Sequence, residues 1–264
     1  MAFSRVNGIV LHHRDGGRGD GPALVFVNSL GSDLRIWDRV APAFAEGFRV
    51  VLYDKRGHGL SDAPPAPYSL DDHVDDLIGL LDRLSIPSAS VVGLSVGGMV
   101  AQRLAVRNPE RVQAAILCCT AARIGSPETW AERIGAVEAG GVEAVAGAVL
   151  ERWFTPAFRR ERPSETQGWR NMLERTPAQG YAGTCAAIRD ADLTADAGRI
   201  AAPTLCIAGD QDGSTPAEIV RSTAHLIPGA RFELIEGAGH IPCVEQPAML
   251  AQLIAGHLQE AGLV

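Results

Sequence analysis

Lysine is almost missing from this chain: of 24 basic residues only Lys55 is a lysine. The imbalance reads as the arginine preference of a GC-rich coding sequence. The arginines form no cluster and the net charge is -7, so the chain lacks the electrostatic footprint of a nucleic-acid or anionic-membrane binder. Long apolar runs are missing too, and none reaches the ~18 residues of a membrane span. The opening residues, MAFSRVNGIV, lack the basic and apolar regions of a signal peptide, which gives the expectation of a cytoplasmic protein. Cysteines number five, an odd count without the paired spacing of a zinc site. Their apolar contexts suggest reduced, partly buried thiols. What remains is ordinary for a soluble protein: 264 residues, 46% hydrophobic and 21% charged, enough for one α/β domain or a domain with an insertion.

Short β-rich runs alternate with longer helical patterns, the rhythm of βαβ units around a largely parallel sheet. Asn7-Gly8 lies between two extended runs and signals a hairpin. Residues 23–28, 48–54, 89–94, 112–118, 204–210 and 231–237 are near-continuous apolar runs, as strands covered on both faces require. Helical patterns fall at 35–45, 70–84, 96–107, 217–227 and 247–260. Residues 121–199 break the alternation, with helical patterns and no convincing strand. They read as a helical insertion that returns to the sheet at IAAPTLCIAGD.

The stretch Gly93-Leu94-Ser95-Val96-Gly97 sits at one of the strand-to-helix junctions. G-x-S-x-G there has a mechanism: a sharp turn exposes the serine Oγ, and the glycines remove Cβ atoms that would clash. In a chain with 29 glycines the bare pattern is weak, so partners matter. A serine nucleophile needs a base, and His240 lies just after the last strand among small residues. The base needs a carboxylate to hold its tautomer. Asp212 follows the preceding strand, with Asp210 a close competitor. Ser95, Asp212 and His240 give the chain order Ser…Asp…His, each after the carboxyl end of a different strand. The oxyanion formed during attack needs backbone donors, for which Val96 N–H and Leu30 N–H are the candidates, with Gly31 permitting close approach.

These residues resemble the α/β-hydrolase family over essentially the whole chain, through YDKRGHGLSD, GLSVGGMVAQRLA and EGAGHIPCVEQP. More narrowly, NSLGSDLRIWD, TAARIGSPETW, ERWFTPAFR and GDQDGSTP are similar to 3-oxoadipate enol-lactonases of aromatic catabolism. The resemblance implies an α/β fold: a mostly parallel central sheet flanked by helices, with a helical cap inserted after the sixth strand. Residues 1–120 and 200–264 would form the core and 121–199 the cap. It implies a Ser95-His240-Asp212 triad that opens the enol-lactone to 3-oxoadipate through an acyl-enzyme, in the β-ketoadipate pathway. No metal or organic cofactor is called for, and the only partner implied is the small-molecule lactone; self-association into a homo-oligomer is left open. The substrate carries a free carboxylate, so the pocket should hold a cation. Arg189, Arg133 and Arg123 are the candidates, with Trp130 and Trp153 as pocket walls.

Three rivals keep the same motifs. One is an esterase for small esters, another a hydrolase of carbon–carbon bonds in meta-cleavage products. The third is a non-catalytic small-molecule receptor on the same scaffold, which turnover would distinguish.

Overall fold

A computed structural model describes residues 1–263. Its sheet has eight strands: β1 (Ala2–Val6), β2 (Ile9–Gly17), β3 (Ala23–Val27), β4 (Arg49–Tyr53), β5 (Ala89–Leu94), β6 (Val112–Cys118), β7 (Thr204–Gly209) and β8 (Arg231–Ile235). They lie in the order β1-β2-β4-β3-β5-β6-β7-β8. Only β1 and β2 run antiparallel to their neighbours. The β1–β2 hairpin turns at Asn7 and Gly8, both at positive φ (49° and 83°), as a tight primed turn demands. Every residue of β3, β5 and β7 is buried, which explains their unbroken apolar sequence. β8 is different: it forms the edge, and only Ile235 is buried. Its apolar run therefore does not mean cover on both faces.

The flanking helices follow their sequence signals. Helix α1 (Leu70–Arg83) begins in a capping box in which Ser69 Oγ accepts from Asp72 N–H and Asp72 accepts from Ser69 N–H. Helix α2 (Val96–Arg107) follows β5 directly. One expected helix is not formed. Residues 35–45 make two short 3₁₀ turns, Leu34–Trp37 and Ala41–Phe44, because Pro42 lacks an N–H and its ring would clash with the Asp38 carbonyl of a continuous helix.

Between β6 and β7 the chain leaves the sheet and folds into α3 (Pro127–Gly140), α4 (Glu143–Trp153), α5 (Pro156–Glu161), α6 (Pro163–Glu174) and α7 (Ala178–Asp190). The chain then closes with α8 (Ala217–Leu226), the short α9 (Pro242–Glu245) and α10 (Pro247–Glu260). All five cysteines are free and buried. Among the described residues no helix is long and apolar enough to cross a membrane.

Helix α7 settles on the core through glycine. A Cβ on Gly180 would lie 2.2 Å from Gly57 O, and one on Gly183 would lie 2.8 Å from the Tyr68 ring. Backbone therefore meets backbone where the helical segment covers the loop after β4. That contact brings α7 over the carboxyl edge of the sheet.

Candidate active site

Ser95 is the residue between β5 and α2, and its backbone is strained: φ 58°, ψ −118°. A non-glycine residue held there costs roughly 1–3 kcal/mol, so the surroundings must enforce it. They do so by contact. A Cβ on Gly93 would lie 2.2 Å from Gly97 O, and one on Gly97 would lie 2.2 Å from Val27 O. Ser95 N–H donates to Cys118 O at 2.9 Å, and Thr120 Oγ1 donates to Ser95 O at 2.7 Å. Val96 opens α2, so its N–H is one of those a helix start leaves without an intrahelical acceptor.

His240 meets Asp212. Its Nδ1 lies 2.8 Å from Oδ2 and 3.0 Å from Oδ1, and both side chains are buried. An ionised Asp212 can only accept, so Nδ1 carries the proton and Nε2 is left with the lone pair. Burial alone would raise the Asp212 pKa. The facing His240 and hydrogen bonds from Thr215 outweigh it and hold the carboxyl below its ordinary value. Ser214 N–H (2.7 Å), Thr215 N–H (3.0 Å) and Thr215 Oγ1 (2.7 Å) all donate to it. Asp210 is exposed and accepts instead from Ala238 N–H at 3.2 Å.

The His240 loop is tied to the inserted helices. Trp153 O, at the end of α4, accepts from His240 N–H at 2.9 Å. Glu245 takes Thr155 N–H (2.9 Å) and Thr155 Oγ1 (2.8 Å) on one oxygen and Gly239 N–H (2.6 Å) on the other. Neither Glu245 nor Thr215 was singled out by the sequence reading, although both stand inside motifs it quoted.

Ser29, Leu30, Ser95 and His240 line one cavity of about 550 Å³. Trp130, Arg133, Trp153 and Tyr181 line it as well, from the helical segment. Arg189 does not. It bonds its neighbour Asp190 at 2.7 and 2.9 Å in the last turn of α7. Tyr181 and Ile188, seven residues apart, share the face toward the cavity, and Arg189 is turned about 100° from it. Arg123 pairs with Asp192 outside the cavity. In their place stands Arg152, which the sequence reading missed. Val145, Ala148, Val149 and Arg152 line the cavity at helical spacing, so Arg152 is the charge that ends an apolar stripe.

Neither Arg133 nor Arg152 forms an ion pair with a carboxylate among the described residues. Arg133 stacks over the Trp130 ring at 4.8 Å. Burial first, then the charge of Arg133, lowers the pKa of Arg152. Two guanidinium groups that repel one another across a cavity form a place for an anion.

Cys119, Asp212 and His240 place one ligand atom each within 4.8 Å of one another. The trio is poorly suited to a metal. Burial and the Asp212 charge push the Cys119 thiol well above its ordinary pKa, and Asp212 and His240 Nδ1 already satisfy each other.

A serine on a strained strand-to-helix turn, sharing a cavity with an Asp-held histidine beside a largely parallel sheet, is the arrangement of the α/β hydrolases. Residues 22–247 match the model of the alpha/beta hydrolase fold family, and the chain belongs to it. It is 38% identical over 239 residues to 3-oxoadipate enol-lactonase 2 of Acinetobacter baylyi, covering 90% of this chain and 89% of that protein. The crystal structure of the enol-lactonase from Burkholderia xenovorans LB400 superposes with a TM-score of 0.95 at 39% identity, covering 98% of this chain and 100% of that one. A thermophilic esterase from Thermogutta terrifontis, solved with malate bound, superposes with a TM-score of 0.93 at 29% identity, covering 99% of each chain.

Proposed function

We propose that this protein is a serine hydrolase that opens a carboxylate-bearing lactone, with 3-oxoadipate enol-lactone as its substrate. The observation that carries the substrate class is the pair of unpaired arginines, Arg133 and Arg152, on the cavity that Ser95 and His240 line. The names of the enol-lactonase relatives and the malate-bound esterase agree with an anionic ligand.

The chemistry follows from the residues. His240 Nε2 takes the proton of Ser95 Oγ, which adds to the lactone carbonyl. Leu30 and Val96 N–H groups receive the negative charge on the carbonyl oxygen. Collapse breaks the acyl C–O bond and expels an enolate oxygen, a better leaving group than an alkoxide, so little general-acid help is required. The departing product takes up the proton that His240 received from Ser95, which leaves Nε2 free to act as a base again. The acyl-enzyme then accepts a hydroxide equivalent from water deprotonated by His240, Ser95 leaves with the proton, and the enol tautomerises to 3-oxoadipate. Asp212 keeps His240 in the productive tautomer and stabilises its cation. Residues 121–199 act as a cap that shields these steps from bulk water. The reaction belongs to cytoplasmic aromatic catabolism and requires no metal or organic cofactor.

The test is turnover of enol-lactone, generated in place from muconolactone by its isomerase, followed by loss of ultraviolet absorbance beside p-nitrophenyl acetate. Fast lactone loss with feeble acetate hydrolysis is expected. Ser95→Ala should lower lactone turnover roughly 10⁴-fold or more while the protein stays folded. Brisk acetate hydrolysis without lactone loss would move the protein to the general esterases. Binding without turnover of either would leave the receptor reading.

A further inference from the structure

The one lysine of the chain is among its most deeply buried side chains, 1% exposed, and it lies under the loop that carries Leu30. Coding bias accounts for a scarcity of lysine, not for the position of the lysine that remains. Lys55 Nζ donates to Ser29 O at 2.6 Å and to Ser32 O at 3.3 Å, so one amine grips both ends of the turn Ser29–Ser32. Ser29 O also closes that turn by accepting from Ser32 Oγ (2.9 Å) and Ser32 N–H (3.3 Å). Gly31 N–H donates to His58 Nε2 at 2.9 Å, and Asn28 Nδ2 reaches Ser32 O at 3.4 Å. Ser29 and Leu30 both line the cavity with Ser95.

The Ser29 carbonyl and the Leu30 N–H belong to one peptide unit. In a planar trans peptide the C=O and N–H point in opposite directions, so whatever holds one aims the other. We propose that Lys55 is a positioning residue of the oxyanion hole: by holding Ser29 O it aims Leu30 N–H at the substrate carbonyl and polarises it as a donor. The proposal rests on the oxyanion role given to Leu30 above.

Donation to an amide oxygen draws electron density from its nitrogen and strengthens the N–H on the far side, the cooperative effect of chained hydrogen bonds. Arginine would not serve. Its planar fork suits a carboxylate, whereas two carbonyls at the ends of a turn need a small group with rotatable donors on a thin stem. Burial moves the Lys55 pKa well below its ordinary value, and a neutral amine still has two N–H groups for its two acceptors. The arrangement therefore does not depend on the charge of the amine.

The experiment compares wild type with Lys55→Met, which keeps the stem and removes the donors. Losing effective use of one oxyanion donor costs roughly 10²–10³-fold in kcat, and that fall is expected here with KM changed less than about threefold. Affinity for n-butylboronic acid, which forms a tetrahedral adduct on Ser95, should fall with kcat, while affinity for adipate, which forms none, stays level. A kcat within threefold of wild type would overturn the proposal. So would parallel losses in kcat, boronate affinity and adipate affinity, the mark of a merely structural lysine. If Lys55→Met does not fold, wild-type protein labelled with [15N]lysine decides: its single Nζ resonance should move when the boronate binds and stay fixed with adipate. No movement with the boronate overturns the idea. Ser95→Ala separates the two levels: full activity in that variant would end the hydrolase reading itself, whereas a dead Ser95→Ala beside a normal Lys55→Met ends only the role of Lys55.

Discussion

Asp210 and Asp212 stand two positions apart on the loop after β7, and the fold treats them oppositely. Asp212 is buried against His240 Nδ1 and takes hydrogen bonds from Ser214 and Thr215, while Asp210 is exposed beside Ala238 N–H. Asp212→Asn should therefore lower kcat by about 10⁴-fold, because an amide can present a donor to Nδ1 and favour the wrong tautomer. Asp210→Asn should change it less than about threefold. Steady-state kinetics of the two variants side by side checks this. The arginines give a second expectation at the same scale. Arg133→Met and Arg152→Met each remove a cation from the cavity and should raise KM for an anionic lactone by about tenfold. Neither should alter hydrolysis of an uncharged acetate by more than about twofold. Arg189→Met, paired with Asp190 in the last turn of α7 outside the cavity, should leave both substrates unaffected.

At the scale of elements, the contact to watch is α7 on the loop after β4. Gly57 and Gly180 meet backbone to backbone, and a methyl group on Gly180 would stand 2.2 Å from Gly57 O. Backbone cannot swing aside as a side chain can, so Gly180→Ala must lift the helix. Overpacking of this kind costs about 1–3 kcal/mol. Tyr181, the next residue, lines the cavity, so the same shift should loosen substrate binding. Thermal melting and KM measured together should move, with the melting temperature falling and KM rising. Loss of stability alone would mean that the cavity wall does not follow α7. The same scale shows where pattern reading stops. The run at 231–237 has the composition of a covered strand, yet β8 is an edge, because strand order is set by pairing with β7 and not by composition. The pattern at 35–45 has the apolar period of a helix, and Pro42 divides it.

For the whole molecule the expected behaviour is loss of stability in mild acid. Burial lowers the pKa of His58 well below its usual value, and burial above all, with the charge of Arg56, lowers that of His73 to about 3. Both imidazoles stay neutral in the folded protein, while in the unfolded chain they bind protons near pH 6.5. The unfolded state therefore holds more protons as the pH falls below about 6.5, and stability declines toward the folded values. Between pH 7.5 and 5.5 the two together should remove about 2–3 kcal/mol. Asp76 and Glu245, raised by burial, act in the opposite sense. His73→Leu isolates the histidine contribution. Both ring nitrogens of His73 are buried without a hydrogen-bond partner, so the change removes a titrating group and no bond. Urea midpoints across that pH range should fall less far in the variant than in wild type, the difference being the share of one imidazole. His13 and His257, also lowered by burial, keep theirs.

The alternation of strands and helices, the hairpin at Asn7-Gly8, the break at 121–199 and the strand-to-helix setting of Ser95 are all legible in the amino-acid sequence. These are local matters of period, turn chemistry and glycine spacing, and each is written within a dozen or so neighbouring residues. Which aspartate faces His240, which arginines share the cavity and what Lys55 holds depend instead on how the whole chain packs. Asp210 and Asp212 have the same side chain on the same loop, and Arg152 and Arg189 both sit on helices of the same inserted segment. Their difference lies in which way a helix face or loop is turned when distant parts of the chain pack together. That orientation is fixed by long-range contacts, such as Trp153 O with His240 N–H and Gly180 against Gly57, which no local pattern encodes.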